Sequence, residues 1–213
     1  MKLVCFDLDG TIVDDTEYIW YTIHEHLGID PELVRRWHDM FLEGKISYGE
    51  WFQEDIRWWK AAGARKSDLM AAVGKLKLMQ GAHETITRLK EAGKKVAVIS
   101  GSLNTVIEHF FPESPFDYVF INKILFDASG DISGFEVSPF DFEHKARAVR
   151  NIAAEEGILL SECAFVGDNS NDIQAVKTSG LGISFNSKSE ELDSAADIVI
   201  KDKDLREVLK HVL

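Results

Sequence analysis

The sequence predicts an α/β fold in which a doubly wound parallel sheet carries a small helical unit, inserted after its first strand. Short runs of β-branched and apolar residues alternate with amphipathic segments of helical periodicity. Several of these runs are almost entirely apolar, as expected for strands of a parallel sheet that helices cover on both faces. Strands that alternate with helices form right-handed crossovers, so ligands are expected to bind at the carboxyl ends of the strands.

The individual elements follow from this alternation. The predicted strands are Lys2–Phe6, Lys95–Ile99, Asp117–Ile121, Cys163–Val166, Leu181–Phe185 and Asp197–Ile200. The predicted helices are Ala82–Ala92, Asn104–Phe110, Phe142–Glu156, Ser170–Ser179 and Asp204–Val212. Within Asn122–Val137, the turn residues Asp127–Gly130 separate two short extended runs and indicate a hairpin.

One stretch, residues 15–79, breaks the alternation. It contains no convincing strand, and its helical patterns break near residues 28–31, Gly44 and Gly63. It holds all of the tryptophans, namely Trp20, Trp37, Trp51, Trp58 and Trp59. A small helical bundle has little interior, so these rings are expected to build its core; the alternative is that some of them line a pocket above the sheet. The sequence therefore predicts a helical cap of residues 15–79 and an α/β core of residues 1–14 and 80–213.

The composition excludes several classes of protein. Of 213 residues, 45% are apolar and 28% charged, which argues against a disordered chain. The chain carries 36 acidic and 24 basic residues, a net charge of −12, so neither nucleic acid nor an anionic membrane is an expected partner. No run approaches the ~18 apolar residues of a membrane span, and Asp7 interrupts the apolar start before a signal peptide could form. Cys5 and Cys163 lie in apolar runs, which indicates buried thiols and a cytoplasmic protein.

The first candidate site is Asp7–Thr11, directly after the apolar run Leu3–Phe6. Its two carboxylates, Asp7 and Asp9, can both face one ligand once the chain turns at the end of the strand. Gly10 permits such a turn and leaves backbone amides accessible to an anion. Aspartates are also common in surface loops, but the position after a buried strand favours a site.

Two further strand ends carry polar residues. Ser100 and Gly101 follow one apolar run, and Ser102 is expected to cap the next helix, which leaves Ser100 free to reach a ligand. The segment Asp168–Asp172 follows another apolar run and precedes a helix. Helix capping explains part of this segment, but it does not explain an aspartate immediately after a buried strand.

These strand ends predict a metal site. Carboxylates that converge from separate strands repel one another unless a cation lies between them. Mg²⁺ suits such a site because it binds few carboxylates and completes its octahedral shell with phosphate oxygens and water. Lys145 begins the helix after the hairpin, and it becomes a site residue, rather than a solvated surface lysine, only if it joins these strand ends.

Taken in order, these residues resemble the four motifs of the haloacid dehalogenase superfamily phosphatases. The motifs are Asp7–Thr11, Ser100, Lys145 and Gly167–Asp172, and the resemblance runs through nearly the whole chain. The helical insert, together with Ile99–Ser102, Asn122–Leu125 and Gly134, is similar to the phosphoserine phosphatase branch. The resemblance implies a Rossmann-like core with a helical cap.

The resemblance also implies a role for each residue. Asp7 would attack phosphorus and form an aspartyl phosphate, while Asp9 would protonate the leaving oxygen and then take a proton from water. The implied Mg²⁺ ligands are Asp7, the backbone carbonyl of Asp9, and Asp168, with Asp172 in support. The implied phosphate-binding residues are Thr11, Ser100, Gly101, Lys145 and Asn171. Positioning and charge neutralisation of this kind carry most of the catalysis of phosphoryl transfer.

Two departures from the branch concern its substrate. Phosphoserine phosphatases typically have a Glu shortly after the first motif and an Arg in the cap, which read the amino and carboxylate groups. By spacing, the Glu position falls on Thr16, with Glu17 adjacent, and the Arg position falls near Asp55, with Arg57 close by. Taken literally, this spacing removes the partner of the substrate carboxylate.

The leading hypothesis is a Mg²⁺-dependent phosphomonoester hydrolase that acts on a small phosphorylated metabolite. One alternative is phosphoserine phosphatase proper. An alternative of another class is a catalytically silent phosphate-binding protein or a phospho-acceptor regulatory protein. Receiver domains, however, hold their acidic pair and acceptor Asp on different strands and have no long insert after the first. The identity of the leaving group and the oligomeric state stay open at this point.

Overall fold

The computed structural model describes residues 1–14, 16, 18–140 and 144–213, which form two sheets and the helices around them. The strands are β1 Leu3–Phe6, β2 Val13–Asp14, β3 Lys77–Leu78, β4 Lys95–Leu103, β5 Tyr118–Phe126, β6 Ile132–Glu136, β7 Cys163–Gly167, β8 Leu181–Phe185 and β9 Ile198–Ile200. The helices are α1 Ile19–Leu27, α2 Pro31–Leu42, α3 Tyr48–Ala61, α4 Lys66–Val73, α5 Ala82–Glu91, α6 Asn104–Phe110, α7 Lys145–Glu156, α8 Ile173–Thr178, α9 Glu190–Ala195 and α10 Leu209–Val212.

The main sheet has the predicted doubly wound topology. In the described residues its seven strands lie in the order β6-β5-β4-β1-β7-β8-β9. The pairs are parallel except for the hairpin of β5 and β6, which also confirms the predicted hairpin. β1 lies at the centre, with Phe6 opposite Val98 of β4 and Val166 of β7. The residues that follow these three positions therefore meet at one edge of the sheet.

Both faces of the sheet are covered, as the nearly all-apolar strands predicted. Val4 and Phe6 of β1 face a core that includes α5 and α10, whereas Leu3 and Cys5 face a second core that includes α7 and α8. Every residue of β1 is fully buried. The thiols of Cys5 and Cys163 are buried and form no disulfide with each other, which confirms the sequence interpretation.

Helices α1–α4, called the helical insert below, lie between β2 and β3. The predicted breaks are confirmed, because Gly28, Gly44 and Gly63 follow α1, α2 and α3 with positive φ angles that favour glycine. Its apolar face joins the core on one side of the sheet, and Trp59 is fully buried there. β2 and β3, which flank the helical insert, pair through only two residues each, too short a run for periodicity to reveal.

The structure differs from the sequence prediction in a few places. β4 extends to Leu103 rather than Ile99, because the strand continues through a bulge. β5 joins the predicted strand Asp117–Ile121 and the first extended run of the predicted hairpin into one strand. α9, with three acidic residues in its first turn, was not predicted, since six residues are too few for an apolar stripe. Phe142 and Glu143, the first residues of one predicted helix, are outside the described residues; His144 is the N-cap, and Lys145–Glu156 form α7. Among the described helices, none is long and apolar enough to cross a membrane.

Candidate active site

Three strand ends bring their polar residues together at the edge beyond β1. Asp7 follows β1, Asp168 follows β7, and Ser100 lies in the bulge of β4. Asp7 and Ser100 are almost completely buried. The polar residues of these three strand ends therefore meet at one edge of the sheet, where the topology predicts that a ligand binds.

A cluster of carboxylates lies at the centre of this edge. Asp7, Asp168 and Asp172 each present an oxygen within 4.8 Å of the others. Burial raises the pKa of Asp172 to about 6, although Lys145 opposes the shift. The pKa of Asp168 is also raised, first by burial and then by the charges of Asp7 and Asp172. Hard oxygen ligands that destabilise one another in this way fit a divalent cation such as Mg²⁺.

Lys145 joins the cluster from the first turn of α7. Its side chain is 1% exposed, with Nζ 2.9 Å from an oxygen of Asp7 and 2.7 Å from an oxygen of Asp172. A lysine is rarely buried unless it is paired. The surface interpretation of Lys145 is therefore excluded, because its amine lies among the strand ends.

The carboxyl group of Asp9 is held apart from this cluster. One of its oxygens accepts a hydrogen bond of 2.7 Å from the hydroxyl of Ser102, and the other accepts one of 2.7 Å from the backbone N–H of Ile19. Burial raises the pKa of Asp9 to about 7, while these two hydrogen bonds lower it. A carboxyl group with this pKa can carry a proton near neutral pH and can also release it.

The bulge of β4 sets the positions of Ser100–Ser102. Ile99 pairs with Phe120 while Leu103 pairs with Asn122, so the residues between them leave the regular ladder. The hydroxyl oxygen of Ser100 accepts from the N–H of Ser102 at 3.2 Å, which leaves its own O–H to donate.

The expectation for Ser102 was wrong. It was predicted to cap the following helix, but that helix begins after Leu103, which makes no side-chain cap. The hydroxyl of Ser102 instead donates to Asp9, 93 positions earlier in the chain. No local pattern predicts a partner this distant.

Gly10 and Thr11 support the carboxylate cluster from the turn after β1. Gly10 has φ +77°, and a Cβ at this position would lie 2.2 Å from a carboxylate oxygen of Asp168. The hydroxyl of Thr11 donates to Asp168 at 3.1 Å, and Thr11 is fully buried. The structure therefore places Thr11 behind Asp168, in a position to orient that carboxylate.

A small cavity lies above the strand ends. Its volume is about 40 Å³, room for only a few water molecules. Its floor carries Asp7, Asp9 and residues of the β4 bulge. The aromatic residues of its walls are Tyr18, Trp20, Tyr21, His38, Tyr48 and Trp51. Some insert aromatics thus line a pocket, as the alternative interpretation held, whereas Trp59 packs in the core.

Asn171 and Asn169 complete the lining of the cavity. The side-chain oxygen of Asn171 is buried and has no hydrogen-bond partner among the described residues, so the amide has bonding capacity left for a ligand. Asn169 caps the turn before α8, as the capping interpretation expected, and its amide nitrogen donates to the hydroxyl of Tyr18 at 3.2 Å. Asn169 and His38 were not predicted to line the pocket, because their positions in the sequence also suit a helix cap and a surface residue.

Among the described residues, the positions compared with the branch's Glu and Arg do not line this cavity. Asp55 is 2% exposed, and one of its oxygens lies 3.2 Å from Nε2 of His24 inside the helical insert. Arg57 is exposed and pairs with Glu54. Thr16 contacts Thr22 through its hydroxyl, and Glu17 is outside the described residues. No arginine or lysine is among the described residues that line the cavity.

The known proteins that this chain resembles are hydrolases and phosphatases, in agreement with the geometry of the site. The haloacid dehalogenase-like hydrolase family matches residues 1–180. A phosphoserine phosphatase of Methanocaldococcus jannaschii is 32% identical over 99% of this chain and 97% of its own. One of Archaeoglobus fulgidus is 34% identical over 96% of this chain, which spans 58% of that longer protein. A solved structure, described as a phospho-aspartyl intermediate analogue of phosphoserine phosphatase, superposes with a TM-score of 0.78 at 30% identity and covers 100% of this chain and 99% of its own.

The chain belongs to the haloacid dehalogenase-like hydrolases, the family that the strand-end motifs, the doubly wound sheet and the acidic cluster jointly indicate. Within that family it is a phosphatase, similar to the curated phosphoserine phosphatases.

Proposed function

We propose that this phosphatase is a Mg²⁺-dependent phosphomonoesterase that acts on a small phosphorylated metabolite through an aspartyl phosphate on Asp7. One observation carries the proposal. Asp7 lies 2.9 Å from the buried amine of Lys145, shares the carboxylate cluster with Asp168 and Asp172, and forms part of the floor of a cavity. A carboxylate in these surroundings has both a charge-neutralising partner and access to a substrate.

Asp7 attacks the phosphorus atom, so that a bond forms from its carboxylate oxygen while the bond to the leaving oxygen breaks. Asp9 donates its proton to that leaving oxygen, and it then removes a proton from the water that hydrolyses the aspartyl phosphate. Its pKa of about 7 suits both steps, because neither protonation state is strongly disfavoured near neutral pH. Ser102 and the N–H of Ile19 hold the Asp9 carboxyl group in place for the transfers.

The transferred phosphoryl group needs positive charge and hydrogen-bond donors around it. Lys145, the hydroxyl of Ser100, the amides near Gly101 and the side chain of Asn171 supply them. Asp7, Asp168, Asp172 and the backbone carbonyl of Asp9 are the residues that would hold Mg²⁺. When bound, the cation neutralises phosphoryl charge and the mutual repulsion of these carboxylates. Thr11 orients Asp168 for this role.

Residues 15–79 act as a cap over the core. Residues 18–51 supply the aromatic walls of the cavity, while the phosphate-handling residues come from the α/β core. A cavity of about 40 Å³ is small for a phosphorylated metabolite, so we expect the cap to move when substrate enters. Its closure would then exclude bulk water during phosphoryl transfer.

The decisive experiment is a phosphate-release screen over a panel of phosphorylated metabolites, with Mg²⁺ and with excess chelator. Activity that needs Mg²⁺ and disappears in Asp7→Asn supports the proposal. Full activity in chelator, or in Asp7→Asn, would refute the mechanism. A folded protein that releases phosphate from no substrate would favour the catalytically silent alternative.

Phosphoserine phosphatase proper is the second candidate. The similarity to curated phosphoserine phosphatases favours it. The burial of Asp55 and the exposure of Arg57 count against it, since neither side chain lines the cavity. The value of kcat/KM for phosphoserine, compared with the best substrate of the screen, separates the two candidates.

A further inference from the structure

The cavity walls carry a chemical preference that the phosphate-handling residues do not explain. The six wall residues Tyr18, Trp20, Tyr21, His38, Tyr48 and Trp51 all have aromatic rings. No lysine or arginine lines the cavity among the described residues, and residues 15, 17 and 141–143, which the structure does not describe, are Asp, Glu, Asp, Phe and Glu. A substrate carboxylate therefore finds no lysine or arginine, among the described residues, on the leaving-group side of the site.

The rings meet at steep angles. The angle between the ring planes is 81° for Tyr18 and Tyr21, 85° for Tyr21 and His38, and 81° for Tyr48 and Trp51. A flat aromatic leaving group would need two nearly parallel walls about 7 Å apart, twice the contact distance between carbon atoms. Of the wall pairs in ring contact, His38 and Trp51 come closest to parallel at 33°, but their centroids are only 5.3 Å apart, so no ring fits between them. The wall rings thus present faces in several directions, and they are called the aromatic box below.

The box is held in shape by its contacts with the core. Trp20 stacks on Trp59 at 5.1 Å, and its indole N–H donates to the carbonyl of Gly101. The hydroxyl of Tyr48 accepts from the amide of Asn122 at 2.8 Å, and that of Tyr18 accepts from Asn169. Perpendicular electron-rich rings attract an alkylated ammonium group, which has few or no N–H groups to satisfy.

We propose that the leaving group is an alkylated amino alcohol, best a quaternary ammonium alcohol, whose cation lies in the aromatic box. This inference rests on the proposed function and specifies its substrate class. The overall charge of −12 acts in the same direction, since it favours a cationic group over an anionic one.

The test compares four phosphomonoesters on the wild-type protein with Mg²⁺. They are phosphocholine, its uncharged isostere 3,3-dimethylbutyl phosphate, phenyl phosphate and L-phosphoserine. Phosphocholine is expected to exceed its isostere in kcat/KM by about three- to thirtyfold, the range from an exposed to a desolvated cation–π contact. It is also expected to exceed phenyl phosphate and phosphoserine.

A pair of variants locates the effect. Trp51→Leu removes one wall, and Trp37→Leu removes a half-buried tryptophan of the helical insert that does not line the cavity. The ratio of kcat/KM for phosphocholine to that for its isostere is expected to fall several-fold in Trp51→Leu and to stay unchanged in Trp37→Leu. Because both substrates are measured on one preparation, partial unfolding cancels in the ratio.

The outcomes distinguish failure of the aromatic-box inference from failure of the proposed function. If the isostere equals or exceeds phosphocholine while phosphate release still depends on Asp7, the aromatic-box inference is overturned and the proposed function stands. The same follows if phenyl phosphate or phosphoserine is the best of the four, or if the ratio is unchanged in Trp51→Leu. If the folded protein hydrolyses none of the four esters, the metabolite screen distinguishes two cases. Activity on another ester overturns only the aromatic-box inference. Activity on no ester overturns the inference and the proposed function together.

Discussion

The indole nitrogen of Trp20 donates a hydrogen bond of 3.0 Å to the carbonyl oxygen of Gly101, 81 positions later in the chain. Trp20 belongs to the helical insert, and Gly101 belongs to the β4 bulge that also positions Ser100 and Ser102. The same carbonyl accepts a bond of 2.8 Å from the amide of Asn122. The wall that faces the leaving group is thereby tied to the segment that is proposed to hold the phosphoryl group.

Replacing this indole tests the connection. Trp20→Phe keeps a ring against Trp59 but removes the donor, so the helical insert should hold its position over the bulge less firmly. We expect kcat/KM to fall by about three- to tenfold, the equivalent of a net hydrogen bond of about 0.5–1.5 kcal/mol. Trp58→Phe is the matched control, since Trp58 is also a buried tryptophan of the helical insert and does not line the cavity. An equal loss in both variants would show that the effect is one of packing alone.

Replacements of Asp7 and Asp9, the two aspartates of the first motif, should differ in how far they lower the rate of turnover. Asp7→Asn is expected to abolish turnover, because an amide is not a nucleophile. Asp9→Asn should retain a measurable rate that is about 10²- to 10⁴-fold lower, the usual contribution of general acid–base catalysis. Steady-state rates, with circular dichroism as the check on folding, measure both. Normal turnover in Asp7→Asn would exclude the aspartyl phosphate.

The metal-free protein is expected to lose stability as the pH rises. The pKa of Asp172 is about 6 and that of Asp9 about 7 in the folded protein, both raised by burial. An Asp of the unfolded chain titrates near ~4, so the folded state retains protons that the unfolded state has released. The resulting stabilisation is complete below about pH 4 and is lost as the pH rises through about 6 to 7.

Urea unfolding in chelator at about pH 5 and about pH 7.5 measures this decrease in the free energy of unfolding. Mg²⁺ should reduce the decrease, because a cation that binds only the folded state stabilises it. A free energy of unfolding that increases with pH in chelator would contradict the assignment.

Gly10 offers a test with a close control within the chain. In Gly10→Ala the new Cβ would lie 2.2 Å from an oxygen of Asp168, at a residue with φ +77°. Gly28→Ala meets a similar backbone cost at φ +69°, but nothing lies within 4 Å of its Cβ. Both variants should lose about 1–2 kcal/mol from the left-handed conformation. Only Gly10→Ala should also lose most of its activity and raise the Mg²⁺ concentration needed for half-maximal rate. Equal activity in the two variants would show that the close approach to Asp168 is unimportant.

Arg57 tests whether a shift in alignment could restore a carboxylate-reading arginine. Its side chain is exposed, pairs with Glu54 and does not line the cavity. Arg57→Ala should therefore leave kcat/KM for phosphoserine within about twofold of wild type, as expected for an exposed ion pair. A tenfold or greater loss, specific to phosphoserine and absent for phenyl phosphate, would place Arg57 at the substrate after all.

The sequence could predict the sheet and the strand-end residues because both depend on local order. An aspartate directly after an apolar run can be recognised as a candidate site residue without knowledge of the fold, which is why Asp7 and Asp168 were identified. The hydrogen-bond partner of Ser102 could not be predicted, because Ser102 reaches Asp9 only when β4 pairs with β1 in the folded protein. The burial of Asp55 did leave a signal: Phe52 and Trp59, three positions before and four after it, share its face of α3 and are buried.

The wall residues show where such local reasoning ends. Composition revealed that the helical insert is rich in aromatic rings, but not which rings face the site. Trp51 lines the cavity while Trp59, on the same helix, lies in the core. Their assignment depends on the angle at which α3 packs against the rest of the protein, and residue spacing does not specify that angle.

The central position of β1 has a consequence for synthesis on the ribosome. β1 is translated before both of its neighbours, β4 and β7, and Asp7 receives the company of Asp168 only after β7 is complete. At typical translation rates β4 follows β1 by roughly 5–20 s and β7 follows it by roughly 8–30 s, so one edge of this fully apolar strand stays unpaired until β7 is made. The segment that bears the proposed nucleophile therefore lies beside an open sheet edge during that time, and a chain arrested before β7 would lack Asp168 and Asp172 of the carboxylate cluster.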